Sequence, residues 1–214
     1  MLENENKKEF KVDEQNKIYI VGGRRVGKTT FLYQILMGEY NKELPPSQIG
    51  IMKSQYKKGN KVFTIKELTD DENFSTTNIL KNELEDVILI FVLFSLDDNN
   101  SFEYAKTLIQ FIKNNLINNK EMSIILLGNK YDLVDKGVSE KFVHKKEVDK
   151  YVNNIDNLYY YEISCKNNHN ISQIKEIIDD IEIEEEKDEE DDKLPEEERK
   201  KKAKEAKEKS CIVY

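Results

Sequence analysis

The residues Gly22-Gly23-Arg24-Arg25-Val26-Gly27-Lys28-Thr29 spell G-x-x-x-x-G-K-[ST], the pattern of a loop that cradles phosphates. The residue types explain the chemistry. Glycines let the backbone approach a polyanion, and the N–H groups of residues 22–27 converge on α- and β-phosphate oxygens. Lys28 reaches the β- and γ-phosphates, and the Thr29 hydroxyl is a Mg²⁺ ligand. Thr30 is grouped with the phosphate-binding residues. A chance glycine turn has similar spelling, and the context decides between them: a strand must lead in and a helix must lead out.

A second group with chemistry in it is Asn129-Lys130-Tyr131-Asp132. A carboxylate at Asp132 can accept hydrogen bonds from a ring N–H and a neighbouring exocyclic amine, a pair that guanine offers and adenine lacks. The stem of Lys130 can lie across the base. A third group, Ser164-Cys165-Lys166, has backbone N–H groups that can meet the guanine carbonyl. Any one of these is by itself an ordinary polar loop. In this order behind a phosphate loop they point to a guanine nucleotide, GTP or GDP with Mg²⁺. A P-loop kinase or ATPase that uses ATP would leave the second and third groups unexplained.

The flanking segments suit these roles. Residues 18–21 (Ile-Tyr-Ile-Val) read as a buried strand, and Phe31, Leu32, Ile35 and Leu36 have helical spacing, so a helix should start at Lys28 with its dipole under the phosphates. Ser123–Gly128 and Leu158–Ile163 read as strands that end at the guanine-reading groups, where ligands of open α/β sheets bind. Val87–Phe94 is an apolar run too short to span a membrane and reads as a central strand buried on both faces. Residues 51–66 hold two more strands with a turn at Lys57-Lys58-Gly59-Asn60, and Lys53, Lys57 and Lys66 give this pair the look of a sheet edge. Phe102–Ile117 and Ile171–Ile181 have helical spacing. The alternation predicts an α/β fold, a mainly parallel central sheet flanked by helices.

The chain resembles a small GTPase of the Ras superfamily over residues ~17–183, which implies a P-loop NTPase G domain. Residues 27–39 are most like the Arf branch, Asp98–Glu103 is more like Ras and Rab proteins, and Glu162-Ile163-Ser164-Cys165-Lys166 resembles the family's E-T-S-A-K element. The resemblance implies a Mg²⁺-ligating threonine in the first switch. Counting from Lys28 places Ser47 there, and matching the following Ile-Gly places Gln48. Tyr40 falls where Ras proteins carry an aromatic residue against the base.

The second switch departs from the family. Its D-x-x-G-Q element is replaced by Glu67-Leu68-Thr69-Asp70-Asp71. Glu67 stands for the aspartate of the Mg²⁺ shell, Asp70 for the γ-phosphate-contacting glycine, and Asp71 for the water-orienting glutamine. Arg24 occupies a position that is glycine in Ras proteins. Arg24 and Arg25 either supply charge to the γ-phosphate in cis or are solvated side chains that crowd the site. The expectation is a guanine-nucleotide switch with slow GTP hydrolysis, Lys28 and Asp71 being the catalytic candidates. The alternative is a pseudo-GTPase acting as a scaffold or binding module. Signalling or membrane traffic is implied by the resemblance alone, and no effector or regulator can be read from the residues.

With 34 Lys and Arg against 42 Asp and Glu, the 214-residue chain has a net charge of −8, which does not suggest nucleic-acid binding. Residues 1–16 read as a mobile extension, 17–183 as the G domain and 184–214 as a charged, disordered tail. The chain shows no signal peptide, and Cys165 and Cys211 have no disulfide or zinc spacing, so the expected location is cytoplasmic. His144 and His169 read as surface residues. The end, Cys211-Ile-Val-Tyr214, has the C-a-a-X form behind a lysine-rich stretch, which makes Cys211 a candidate for prenylation and the cytoplasmic face of a membrane a candidate partner. Tyrosine at the last position lies outside the usual set, and an unmodified tail is the alternative. Arf-type myristoylation is not expected because residue 2 is Leu.

Overall fold

The computed structural model describes residues 16–44, 50–69, 75–83, 87–115, 122–134 and 143–182. The proposed N-terminal extension, apart from residue 16, and the tail with Cys211 lie outside them. The elements are β1 (Lys17–Gly22), α1 (Lys28–Met37), β2 (Gly50–Lys58), β3 (Lys61–Thr69), α2 (Thr76–Glu83), β4 (Val87–Ser95), α3 (Asn99–Asn115), β5 (Ser123–Asn129), α4 (Tyr131–Val134), α5 (Lys145–Val152), β6 (Leu158–Glu162) and α6 (Ile171–Asp179).

One six-stranded sheet has the order β2-β3-β1-β4-β5-β6. β2 and β3 are antiparallel, joined through Gly59, whose φ of 58° suits a tight hairpin. Every other neighbouring pair is parallel, as helical crossovers require. The sheet is buried on both faces. Phe31 on α1 meets Phe91 of β4 edge-on at 5.3 Å, while Phe102 on α3 packs against Phe94 at 4.9 Å. Successive β4 side chains alternate between these layers, so the strand reads as an unbroken apolar run. The parallel strands all end on the same side, and the strand order reverses at β1. The end of β3 and the loops after β1, β4, β5 and β6 therefore gather at one edge, where such sheets bind ligands.

Several sequence expectations shift. α3 starts at Asn99, ahead of the first apolar residue, because Asp98 caps it: its Oδ1 accepts from Asn100 N–H at 3.0 Å and its carbonyl from Ser101 N–H at 3.1 Å. α2 and α5 were not expected; α5 buries Val148 alone, too little to leave a periodic signal. Lys66 is not an edge residue. It lies on β3, paired on both sides, is 4% exposed, and holds its ammonium 5.8 Å from the centre of the Tyr19 ring. The edge strand is β2.

Candidate functional site

β1 ends at Gly22 with φ 146°, where a Cβ would collide with the Leu93 carbonyl of β4. The chain then turns through exposed Arg24 and Arg25, the latter left-handed at φ 60°. Gly27, at φ 98°, caps α1 and accepts from Phe31 N–H at 2.8 Å. Lys28 is buried and arches back over the loop, its Nζ donating to the carbonyls of Gly22 (3.1 Å) and Gly23 (2.9 Å). Strand, loop and helix thus meet the context that the phosphate-loop pattern requires.

On the β3 side, the Thr29 hydroxyl donates to Glu67 Oε1 at 2.6 Å, and Thr69 lies at 3.5 Å from the same oxygen. Glu67 is buried, and its Oε2 has no hydrogen-bond partner among the described residues. Burial raises the Glu67 pKa above the ordinary carboxylate range, opposed by the Thr29 hydroxyl, the Lys28 charge and the Thr69 hydroxyl. An orphaned carboxylate oxygen beside a hydroxyl is a hard-oxygen pair of the kind Mg²⁺ takes, so the donor set fits that ion. No described group of three or more His, Cys, Asp or Glu is placed to hold a metal.

On the other side of the loop, Asn129 joins three segments. Its Nδ2 donates to the Val26 carbonyl at 2.9 Å, and its Oδ1 accepts from Cys165 N–H at 3.3 Å. A Cβ on Gly27 would run into that same Nδ2. Asp132 is 5% exposed; Ser164 Oγ donates to its Oδ1 at 2.7 Å, and Lys166 Nζ lies 3.9 Å from its Oδ2. Tyr131 N–H donates to the Ile163 carbonyl at 3.1 Å, which fastens the loops after β5 and β6 through the backbone as well. Lys130 has φ 69°, and its Nζ is 3.4 Å from Asp97 Oδ1. Burial acts to raise the Asp97 pKa, but the Ser95 hydroxyl and the Lys130 ammonium outweigh it and hold it below the usual range. Burial pushes the Cys165 thiol up to about 12, which makes it a poor nucleophile. Its carbonyl accepts from Gln34 Nε2 at 2.6 Å.

The structure therefore gathers residues 22–30, 129, 130, 132 and 164–166 along one edge of the sheet. Ser47, Gln48, Asp70 and Asp71 lie outside the described residues. Tyr40 is 39% exposed. Sequence reasoning missed Asp97 and Gln34. Asp97 had a signal: a carboxylate just past the carboxyl end of a central strand.

A fold of this topology, with a phosphate loop after β1 and these polar loops after β5 and β6, defines a nucleotide-binding G domain. The sequence model of the Ras family matches residues 17–183, and the chain belongs to that family of GTP-binding switches. It is 27% identical over 171 residues to Ras-related protein Rab-32D of Dictyostelium discoideum, covering 75% of this chain and 70% of that protein. It is 23% identical over 165 residues to GTP-binding protein Rhes of Homo sapiens, covering 74% of this chain and 61% of that one. The mouse and rat Rhes proteins are 22% identical over the same length. Among the described residues no helix is long and apolar enough to cross a membrane.

Proposed function

We propose that this chain binds GTP and GDP through residues 22–30, 129, 130, 132 and 164–166, and that it hydrolyses GTP slowly. The observation that carries the binding reading is Asn129, which ties the phosphate loop to both guanine-side loops. Lys28 takes the phosphates, as its position over the loop suits. Asp132, oriented by Ser164, selects guanine, and the Lys130 stem covers the base. Thr29 and Glu67, with Ser47 from the first switch, hold Mg²⁺, which when bound neutralises phosphate charge.

Slow turnover follows from the second switch. Asp70 adds a side chain and a negative charge near the γ-phosphate, and Asp71 is a short anion in place of an amide that orients water. Arg24 and Arg25 are exposed, which favours solvated side chains over a built-in finger. Membership of the Ras family supports a role in signalling or membrane traffic, at the cytoplasmic face of a membrane where Cys211 is prenylated.

The test is the nucleotide content of freshly purified protein, released by denaturation and separated by ion exchange. Predominant GTP supports binding with slow turnover. Stoichiometric GDP means a working, if slow, hydrolase that has passed through its cycle, and single-turnover hydrolysis of loaded GTP then gives the rate. No guanine nucleotide, even after GTP and Mg²⁺ are added, overturns the binding reading in favour of a pseudo-GTPase scaffold.

A further inference from the structure

His169 has no part in the nucleotide chemistry above, yet its ring lies flat on Tyr131, with centroids 4.5 Å apart and planes 10° from parallel. Tyr131 sits between the two residues assigned to the base, Lys130 and Asp132. His169 closes the loop that carries Ser164, Cys165 and Lys166. Ser164 N–H donates to the His169 carbonyl at 3.2 Å, and His169 N–H donates back to the Ser164 carbonyl at 3.1 Å. Asn168 and Asn170 on either side are left-handed, at φ 59° and 56°. Asn170 Nδ2 donates to the Glu162 carbonyl at 2.8 Å, which anchors this reversal to the end of β6.

The segment being held needs a brace. Lys130 is left-handed at φ 69°, and the four-residue α4 that follows is too short to keep its own conformation. Two links across the loops are on the buried side, from Tyr131 N–H to Ile163 and from Ser164 to Asp132. The long Lys166–Asp132 ion pair, at 3.9 Å, and the ring stack are further links towards the solvent side, where His169 is exposed and Tyr131 half-buried.

We propose that His169 is a positioning residue for the bound base: stacked on Tyr131, it holds the Lys130–Asp132 segment against the Ser164–Lys166 loop and slows nucleotide release. This rests on the guanine-binding reading given above. An aromatic pair of this kind corresponds to roughly a 3- to 10-fold effect on an equilibrium or rate it controls.

The experiment follows release of a fluorescent GDP analogue from the full chain into excess GDP with Mg²⁺ present. His169→Ala should release roughly 3- to 10-fold faster than the unaltered chain, and Tyr131→Ala similarly. His169→Phe, which keeps a flat ring, should restore slow release. The double variant Tyr131→Ala with His169→Ala should release no faster than either single variant, because the stack is already gone. His169→Gln keeps polarity without an aromatic plate; it carries the same expectation as alanine and takes its place where the alanine variant does not fold. Release unchanged in the alanine or glutamine variant, release from His169→Phe as fast as from His169→Ala, or single effects that multiply would each overturn the proposal. Failure of the unaltered chain to bind GDP is a separate result, which overturns the guanine reading and this inference with it.

Discussion

The Thr29 hydroxyl and the Glu67 carboxylate, 38 positions apart in the sequence, meet at 2.6 Å where β3 passes the start of α1. The Glu67 side chain reaches the hydroxyl directly from a buried strand. Its second oxygen is left buried without a hydrogen-bond partner. A buried anion in this state gains from a cation. Glu67→Gln should therefore weaken Mg²⁺ binding roughly 10- to 100-fold, the range for residues that support a metal site. The measurement is the Mg²⁺ concentration needed to retain a fluorescent GDP analogue in metal-buffered solution. An unchanged Mg²⁺ requirement would remove Glu67 from the site.

Gly27 tests the contact between the loop after β1 and Asn129 at the end of β5. Its φ of 98° is strained for any L-residue, and its missing Cβ is the space that Asn129 Nδ2 occupies. Gly27→Ala should displace Asn129 from the Val26 carbonyl and disturb both halves of the site together. The purified variant is expected to carry guanine nucleotide well below stoichiometric, with far-UV circular dichroism close to that of the unaltered chain. Full nucleotide content would mean that the clasp does not govern binding.

The part of this site that could be read from sequence was the part written in local spelling. Gly22–Thr29 lies between an apolar strand and an amphipathic helix, so motif and context reinforced each other. Asn129–Asp132 and Ser164–Lys166 each follow a short apolar strand. The partnerships were not legible, because they join residues far apart in the chain: Asn129 to Val26 across 103 positions and Gln34 to Cys165 across 131. Lys66 looked like an edge lysine because charge on a strand usually means solvent; its burial against Tyr19 comes from the sheet order, which spacing does not encode. α5 escaped notice for the opposite reason, since a helix that buries so few apolar side chains looks like a loop.

Asp97 holds the ammonium of Lys130 at 3.4 Å and is itself fixed by the Ser95 hydroxyl. With its head group tethered at the end of β4, the Lys130 stem has fewer conformations, which under the proposed function keeps it over the base. Asp97→Asn removes the charge while keeping the shape, and should speed GDP release a few-fold, as the modest value of a partly exposed ion pair implies. In a Lys130→Met background the same change should have no further effect, because the ammonium it acts on is absent. Release rates that multiply across the two variants would show that Asp97 acts by another route.

Far from the nucleotide edge, the β2–β3 hairpin is pinned to the end of α6. Tyr56 donates its hydroxyl to Asp179 Oδ1 at 2.6 Å, Lys58 lies 3.0 Å from Oδ2, and Lys61 Nζ donates to the carbonyls of Asp179 (3.0 Å) and Ile181 (2.7 Å). Lys58 is largely exposed and contributes little, whereas Tyr56 is buried. Tyr56→Phe, which leaves the ring in place, should cost roughly 1.5 to 3 kcal/mol, the usual range for a hydrogen bond to a charged group. For a domain of this size that lowers Tm by several degrees. The pH dependence has a definite sign. Partial burial acts to raise the Asp179 pKa, but Tyr56, Lys58 and Lys175 outweigh it and hold it below its ordinary value. The stability it contributes is therefore fully present above the unfolded-state pKa of about 3.9 and is lost as pH falls through the lower folded-state value. Asp179→Asn should melt below the unaltered chain at pH 7, and the gap should close as the solution is acidified past that range. A gap that stays constant down to the acid limit would mean that the Asp179 charge does not stabilise the hairpin–helix contact.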